Sequence, residues 1–268
     1  MALLLQRRKR HLQRKRANYC SIYLYFLHLR SKSTRLNSSL KEIHPLRKRF
    51  KSLLPSYAIP ALLLNLSFNF VGYIGIQSLK GYFTFHDLSL PLDREIPFVP
   101  GFIFIYLGAY LQWIIGFLIC GRESKSFCYR YLSAELFAKI LTFGCFILIP
   151  STILRPRVIG TGVAEWVTRW VYQMDAPVNL FPSIHVLESW FCTRTAFAQK
   201  KIGKWYAWLT TIMTFLVCLS VVLVKQHVLM DILGGIAFFE IGILVTRRRG
   251  FEQIYQRMEH WDQWTRRK

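Results

Sequence analysis

Six apolar runs, at about 56–79, 98–120, 131–153, 183–198, 205–224 and 228–246, constrain this chain more than any other feature of its sequence. A helix rising 1.5 Å per residue needs roughly 20 residues to cross a hydrocarbon layer, and most of these runs approach that length. Inside lipid every backbone N–H and C=O must find its partner within the segment, so runs of this kind read as helices. The fold class expected is all-α, a polytopic membrane bundle of about six transmembrane helices. The fourth run is the weakest, being short and carrying Glu188 and Arg194. Charges at membrane depth usually face the bundle interior beside a partner, so this run is expected to pack among the other helices.

Charge supplies the orientation. The chain has a net charge of +22 although 53% of its residues are hydrophobic, a combination rare in soluble domains. Nucleic-acid binding is the competing explanation of so basic a balance. The basic residues argue against it, because they cluster between apolar runs on alternate sides. Arg122, Lys125 and Arg130 follow the second run, Lys200, Lys201 and Lys204 the fourth, and Arg247, Arg248 and Arg249 the sixth. Between runs one and two, Asp87, Asp93 and Glu95 face only Lys80 and Arg94. By the positive-inside rule both termini are expected in the cytoplasm, against an anionic inner leaflet of the plasma membrane. Segments 80–97 and 154–182 and the turn at 225–228 then lie outside, where the active site is expected.

Residues 1–52 form a basic leader with Arg7-Arg8-Lys9-Arg10 and Arg47-Lys48-Arg49. Its apolar stretch Asn18–Leu29 is too short to span and reads as an interfacial helix. Ser33–Ser39 resembles translated adapter sequence, so no function is placed on the leader. The membrane domain is expected over 53–247 and a basic cytoplasmic tail over 248–268. The six cysteines form no closely spaced pair, so neither a disulfide nor a zinc site is expected.

Three stretches carry chemistry, and all three fall on the expected outer side. They are Arg155-Pro156-Arg157, Asn179-Leu180-Phe181-Pro182-Ser183-Ile184-His185, and Lys225-Gln226-His227-Val228-Leu229-Met230-Asp231. His227 and Asp231 are spaced i, i+4, one turn apart on a single helix face. A carboxylate there can hold one imidazole nitrogen and leave the other free to attack. His185 sits at a helix start, where unpaired N–H groups favour an anion. Arg155 and Lys225 add positive charge, and arginine can grip a phosphate through two parallel hydrogen bonds. Taken singly, each group has a plain reading as a structural histidine or an interfacial anchor. His227 with Asp231 could also be half of a metal site, but no further ligands appear at useful spacing.

Together the stretches resemble the type 2 phosphatidic acid phosphatase superfamily, which includes bacterial acid phosphatases and vanadium haloperoxidases. Pro182-Ser183-Ile184-His185 is similar to its P-S-x-H motif, Ser220 through His227 to Asp231 to S-R-x5-H-x3-D, and Arg155-Pro156 to the end of K-x6-R-P. The resemblance covers roughly residues 55–247. The sequence departs from it where the first motif's lysine would be Leu148 and the third motif's arginine Val221. Lys225 and Arg157 are the candidate replacements. Asp175-Ala176-Pro177-Val178-Asn179 and Lys225-Gln226-His227 are similar to the branch containing inositol-phosphorylceramide synthases.

The resemblance implies a phosphohistidine lipid phosphatase acting on an extracytoplasmic lipid phosphate, without a metal or other cofactor. His227 would be the nucleophile, Asp231 its orienting partner, and His185 the acid and base. Arg155, Ser183, Lys225 and Arg157 would hold the phosphoryl oxygens. A head-group phosphotransferase and a non-catalytic phosphate-lipid-binding protein are the alternatives. Helix arithmetic adds one expectation. Arg194 lies nine residues beyond His185, and Glu240 nine beyond Asp231, which puts both roughly 13 Å below the site. An ion pair between them would join the two helices.

Overall fold

A computed structural model describes residues 54–250 and 252–258, except for the side chains of Arg248 and Arg249. The leader, its interfacial helix and Cys20 lie outside the described residues. In chain order the elements are α1 (Ala58–Ser78), β1 (His86–Asp87), α2 (Pro91–Glu95), α3 (Ile103–Glu123), α4 (Lys125–Leu148), β2 (Ser151–Thr152), α5 (Val163–Met174), α6 (Ile184–Ala198), α7 (Lys204–Leu223) and α8 (Leu229–Arg249). Residues 253–258 add a further helical turn.

The protein is thus mainly helical, and among the described residues five helices are long and apolar enough to cross a membrane: α1, α3 with the residues preceding it, α4, α7 and α8. The fourth apolar run differs from the rest. It forms α6, only 15 residues long, ten of them buried. This helix packs on α3, α7 and α8 and reaches α4, so it occupies the centre of the bundle.

Two boundaries differ from the sequence expectation. The third run was expected at 131–153, but α4 covers Lys125–Leu148. Its start is fixed by Ser124, whose side-chain oxygen accepts the Phe127 N–H at 3.3 Å, as N-cap residues do. Its end falls just before Pro150, which disfavours helix in the residue preceding it. Ser151 and Thr152 then pair in parallel with His86 and Asp87. The second difference is α5, inside the segment expected only as an outer loop.

The connections gather at two ends. At one end β1 meets β2, and Val99 N–H donates to Leu223 O at 2.9 Å, which joins the segment before α3 to the end of α7. At the other end the Tyr57 hydroxyl donates to Gly121 O at 3.0 Å, and Lys200 N–H donates to Glu123 at 3.1 Å. Glycine lets α4 and α8 touch backbone to backbone: a Cβ at Gly242 would lie 2.3 Å from Ala134 O.

A polar network runs through the bundle interior. The Lys139 ammonium pairs with Glu135, one turn earlier on α4, and with Glu188 on α6 at 2.6 Å. All three side chains are nearly inaccessible. The Asn65 amide of α1 donates to Glu135 and to Leu132 O, and its carbonyl accepts the Tyr255 hydroxyl at 2.6 Å. Nearer the helix surfaces, Arg194 and Glu240 pair at 2.9 Å, where helix arithmetic expected them. Trp190 Nε1 donates to the same Glu240 oxygen at 2.7 Å.

Candidate active site

The site is assembled where α6 and α8 begin. Ser183 is the N-cap of α6: its hydroxyl oxygen accepts Val186 N–H at 3.3 Å, which leaves its own O–H free to donate. The Ser183 N–H donates to Asp231 O at 3.1 Å, tying the two helix starts together. Glycines make this approach possible. A Cβ at Gly235 would lie 2.7 Å from Ser183 O, and one at Gly234 2.8 Å from the Pro182 ring.

Asp231 is fully buried. Its Oδ2 accepts the Val228 N–H and meets His227 Nδ1, each at 3.0 Å. A carboxylate only accepts, so the proton between them sits on Nδ1 and Nε2 carries the lone pair. The His185 ring lies 6.3 Å from that of His227, centroid to centroid. Tyr106 stacks on His185 at 4.0 Å, and Trp113 and Tyr110 meet it edge-on at 4.9 and 5.5 Å. His185 is therefore walled by aromatic side chains on several sides.

Arg155 approaches from the loop after β2. Its Nη1 donates to Asp175 O at 2.6 Å, its Nη2 donates to the Gln226 carbonyl oxygen, and its guanidinium lies 4.6 Å over the Tyr172 ring. Burial pulls the Arg155 pKa below the ordinary guanidinium range, with Asp175 the main opposing influence. Burial pushes the Tyr172 phenol up to about 12, against the lowering influence of Arg155. Tyr172 therefore stays a neutral donor, and it bonds Val224 O at 2.7 Å.

Several buried polar atoms here have no protein partner among the described residues: Arg155 Nε, His185 Nε2, Gln226 Nε2, Asp231 Oδ1 and both side-chain atoms of Asn179. Buried polar groups without partners are uncommon, and a bound ligand or water is one way to satisfy them.

His185, Ser183, His227, Asp231 and Arg155 are thus linked through the α6 and α8 starts and Gln226. The side chains of the other two expected phosphate ligands, Lys225 and Arg157, form no hydrogen bond with these residues among the described ones. Lys225 has left-handed backbone (φ 50°), and its ammonium donates to Asp93 O at 2.9 Å and Ile96 O at 2.6 Å. It is a strut holding segment 93–96 against the α7–α8 turn. Partial burial lowers its pKa, and Asp93 opposes that shift. Arg157 is exposed and makes no hydrogen bond among the described residues.

Sequence reasoning gave no role to Gln226, Asp175, Tyr172, Tyr106 or Asp93. Gln226 had a signal, since it adjoins His227 in a stretch already singled out. Asp93 had none. Its Oδ1 accepts the Leu229 N–H at 2.8 Å across 136 residues, capping α8 from a distant segment. Leu148 and Val221, at the two apolar departures, are respectively exposed and fully buried.

No group of three or more His, Cys, Asp or Glu side chains suited to a metal ion occurs among the described residues. The five described cysteines are free. Comparison with family models, with curated proteins and with solved structures gave no match.

Proposed function

We propose that this chain is an integral membrane phosphatase that hydrolyses a lipid phosphate through a phosphohistidine intermediate. In this reading α6 completes a set of six membrane helices, both termini are cytoplasmic, and the site opens at the extracytoplasmic face. One observation carries the proposal: a histidine oriented by a fully buried aspartate through Nδ1 faces a second histidine 6.3 Å away.

Each step has a group placed for it. The His227 Nε2 lone pair attacks phosphorus and the ester P–O bond breaks. The substrate's negative charge favours protonated His185, which gives its proton to the departing alkoxide. Water then attacks the phosphohistidine, His185 takes the water's proton, and the P–N bond breaks to release phosphate. Asp231 holds the Nδ1 proton throughout. Arg155, the free O–H of Ser183 and the Gln226 amide are the donors available to the phosphoryl oxygens. Such preorganised donors stabilise charge that develops in the transition state.

A second reading, transfer of a lipid head group to an alcohol, is favoured by the Tyr106, Tyr110 and Trp113 wall. An aromatic-lined base suits an alcohol acceptor better than bulk water. The decisive test is purified protein in micelles offered lipid phosphates, with and without alcohols. His227→Ala should abolish phosphate release and the acid-labile phosphoprotein, while EDTA should leave both unchanged. Full activity in His227→Ala would refute the assignment.

A further inference from the structure

Helix α5 carries two functions on opposite sides, and only one is accounted for by the site. On the inner side Val171 joins the cluster of Ile103 and Tyr106, and Tyr172 supports Arg155. On the other side Val163, Trp166, Trp170 and Met174 follow i, i+3, i+7, i+11 spacing, which gives one face of a helix. They are 71%, 62%, 48% and 72% exposed.

Nothing in the described protein covers this face. Its neighbours include a helix long and apolar enough to cross a membrane. Helix α5 packs on residues 100–102 and on α3, whose Phe104 and Leu111 are exposed along a membrane-crossing segment. Leu154 and Ile159, in the strand of chain leading into α5, are also largely exposed. Another edge is polar: Arg169 donates to Gly160 O at 2.8 Å, and Glu165 lies one turn earlier on the helix. Paired tryptophans on a strongly amphipathic helix favour the boundary between acyl chains and head groups.

We infer that α5 lies in the lipid interface, its Val163–Trp166–Trp170–Met174 face among the acyl chains. The stacking of Arg155 on Tyr172 then fixes the phosphate-binding guanidinium at head-group depth. The site is built to take its phosphate ester from the leaflet, attached to a lipid, in preference to a soluble ester. This last step rests on the proposed phosphoryl chemistry, whereas the helix's position in lipid does not.

Two measurements test the two parts separately, on full-length protein in phosphatidylcholine vesicles. In the first, single Trp166→Cys, Trp170→Cys and Glu165→Cys variants carry a nitroxide label. Collision with oxygen should exceed collision with a water-soluble nickel chelate at 166 and 170, and the order should reverse at 165. Equal nickel access at all three would overturn the lipid assignment. So would dipolar broadening between labels on neighbouring copies, which would make this face a protein interface. In the second, Trp166→Ser/Trp170→Ser should lower turnover of a long-chain phosphatidic acid about tenfold. Hydrolysis of a soluble aryl phosphate should be unchanged. Equal loss on both substrates would make α5 merely structural. If the unaltered protein hydrolyses neither, the phosphatase reading and the delivery route fail together while the label result still decides where α5 lies.

Discussion

Replacing Lys139 by methionine should expose how strongly the bundle depends on one buried ammonium. Lys139 pairs with both Glu135 and Glu188, and the side chains of all three are at most 4% exposed. Methionine keeps the unbranched chain as far as Cε and removes the ammonium. The two carboxyl groups would then stand in the interior without a cation. Breaking a buried pair in this way costs about 3–5 kcal/mol, most of it the penalty of the charge left behind. In a protein of this size that corresponds to a fall of roughly 10 °C in the unfolding midpoint. The assay is thermal unfolding in detergent, followed by intrinsic fluorescence. The triple variant Lys139→Met/Glu135→Gln/Glu188→Gln separates charge from shape, because it fills the same space without ions and should recover most of the loss. A loss below about 1 kcal/mol in the single variant would refute the reasoning. A triple variant weaker than the single one would do the same.

Three other outcomes follow from the geometry. Lys225→Met should destabilise the protein by about 1 kcal/mol, since two partly buried carbonyls lose their donor. It should leave KM for phosphate esters unchanged, and a large KM rise would return Lys225 to the phosphate site. Gly235→Ala should reduce activity at least tenfold by pushing α6 off α8; wild-type rates would show that the Ser183 contact has slack. A double-mutant cycle of Arg194→Met with Glu240→Gln should give a coupling of about 1 kcal/mol, and none would mean the pair is geometric only.

The Arg194–Glu240 pair was legible because it needs only two facts, helix rise and a shared depth for His185 and Asp231. His227 with Asp231 was legible for the same reason, being one turn apart on one helix start. The role of Lys225 was not, because its carbonyl partners lie 132 and 129 residues earlier and only the fold brings them near. Glu188 was flagged as needing a partner, yet Lys139 sits in the middle of an apolar run on another helix. Only the side-by-side packing of α4 and α6 pairs them. Helix α5 was missed although Val163, Val167, Trp170, Val171 and Met174 repeat at helical spacing. One arginine and one glutamate within the helix, with glycines just before it, made the segment read as a loop.

The hydroxyl of Tyr255 reaching Asn65 also sets an order of events in time. Asn65 belongs to the first described helix, and its final partner lies 190 residues later in the chain. At a synthesis rate of about 5–20 residues per second, roughly 10–40 s separate the emergence of the two. During that interval α1 must wait in or beside the membrane with an amide oxygen that has no permanent partner. Among the described residues, the helical turn at 253–258 therefore closes a core that α1 begins.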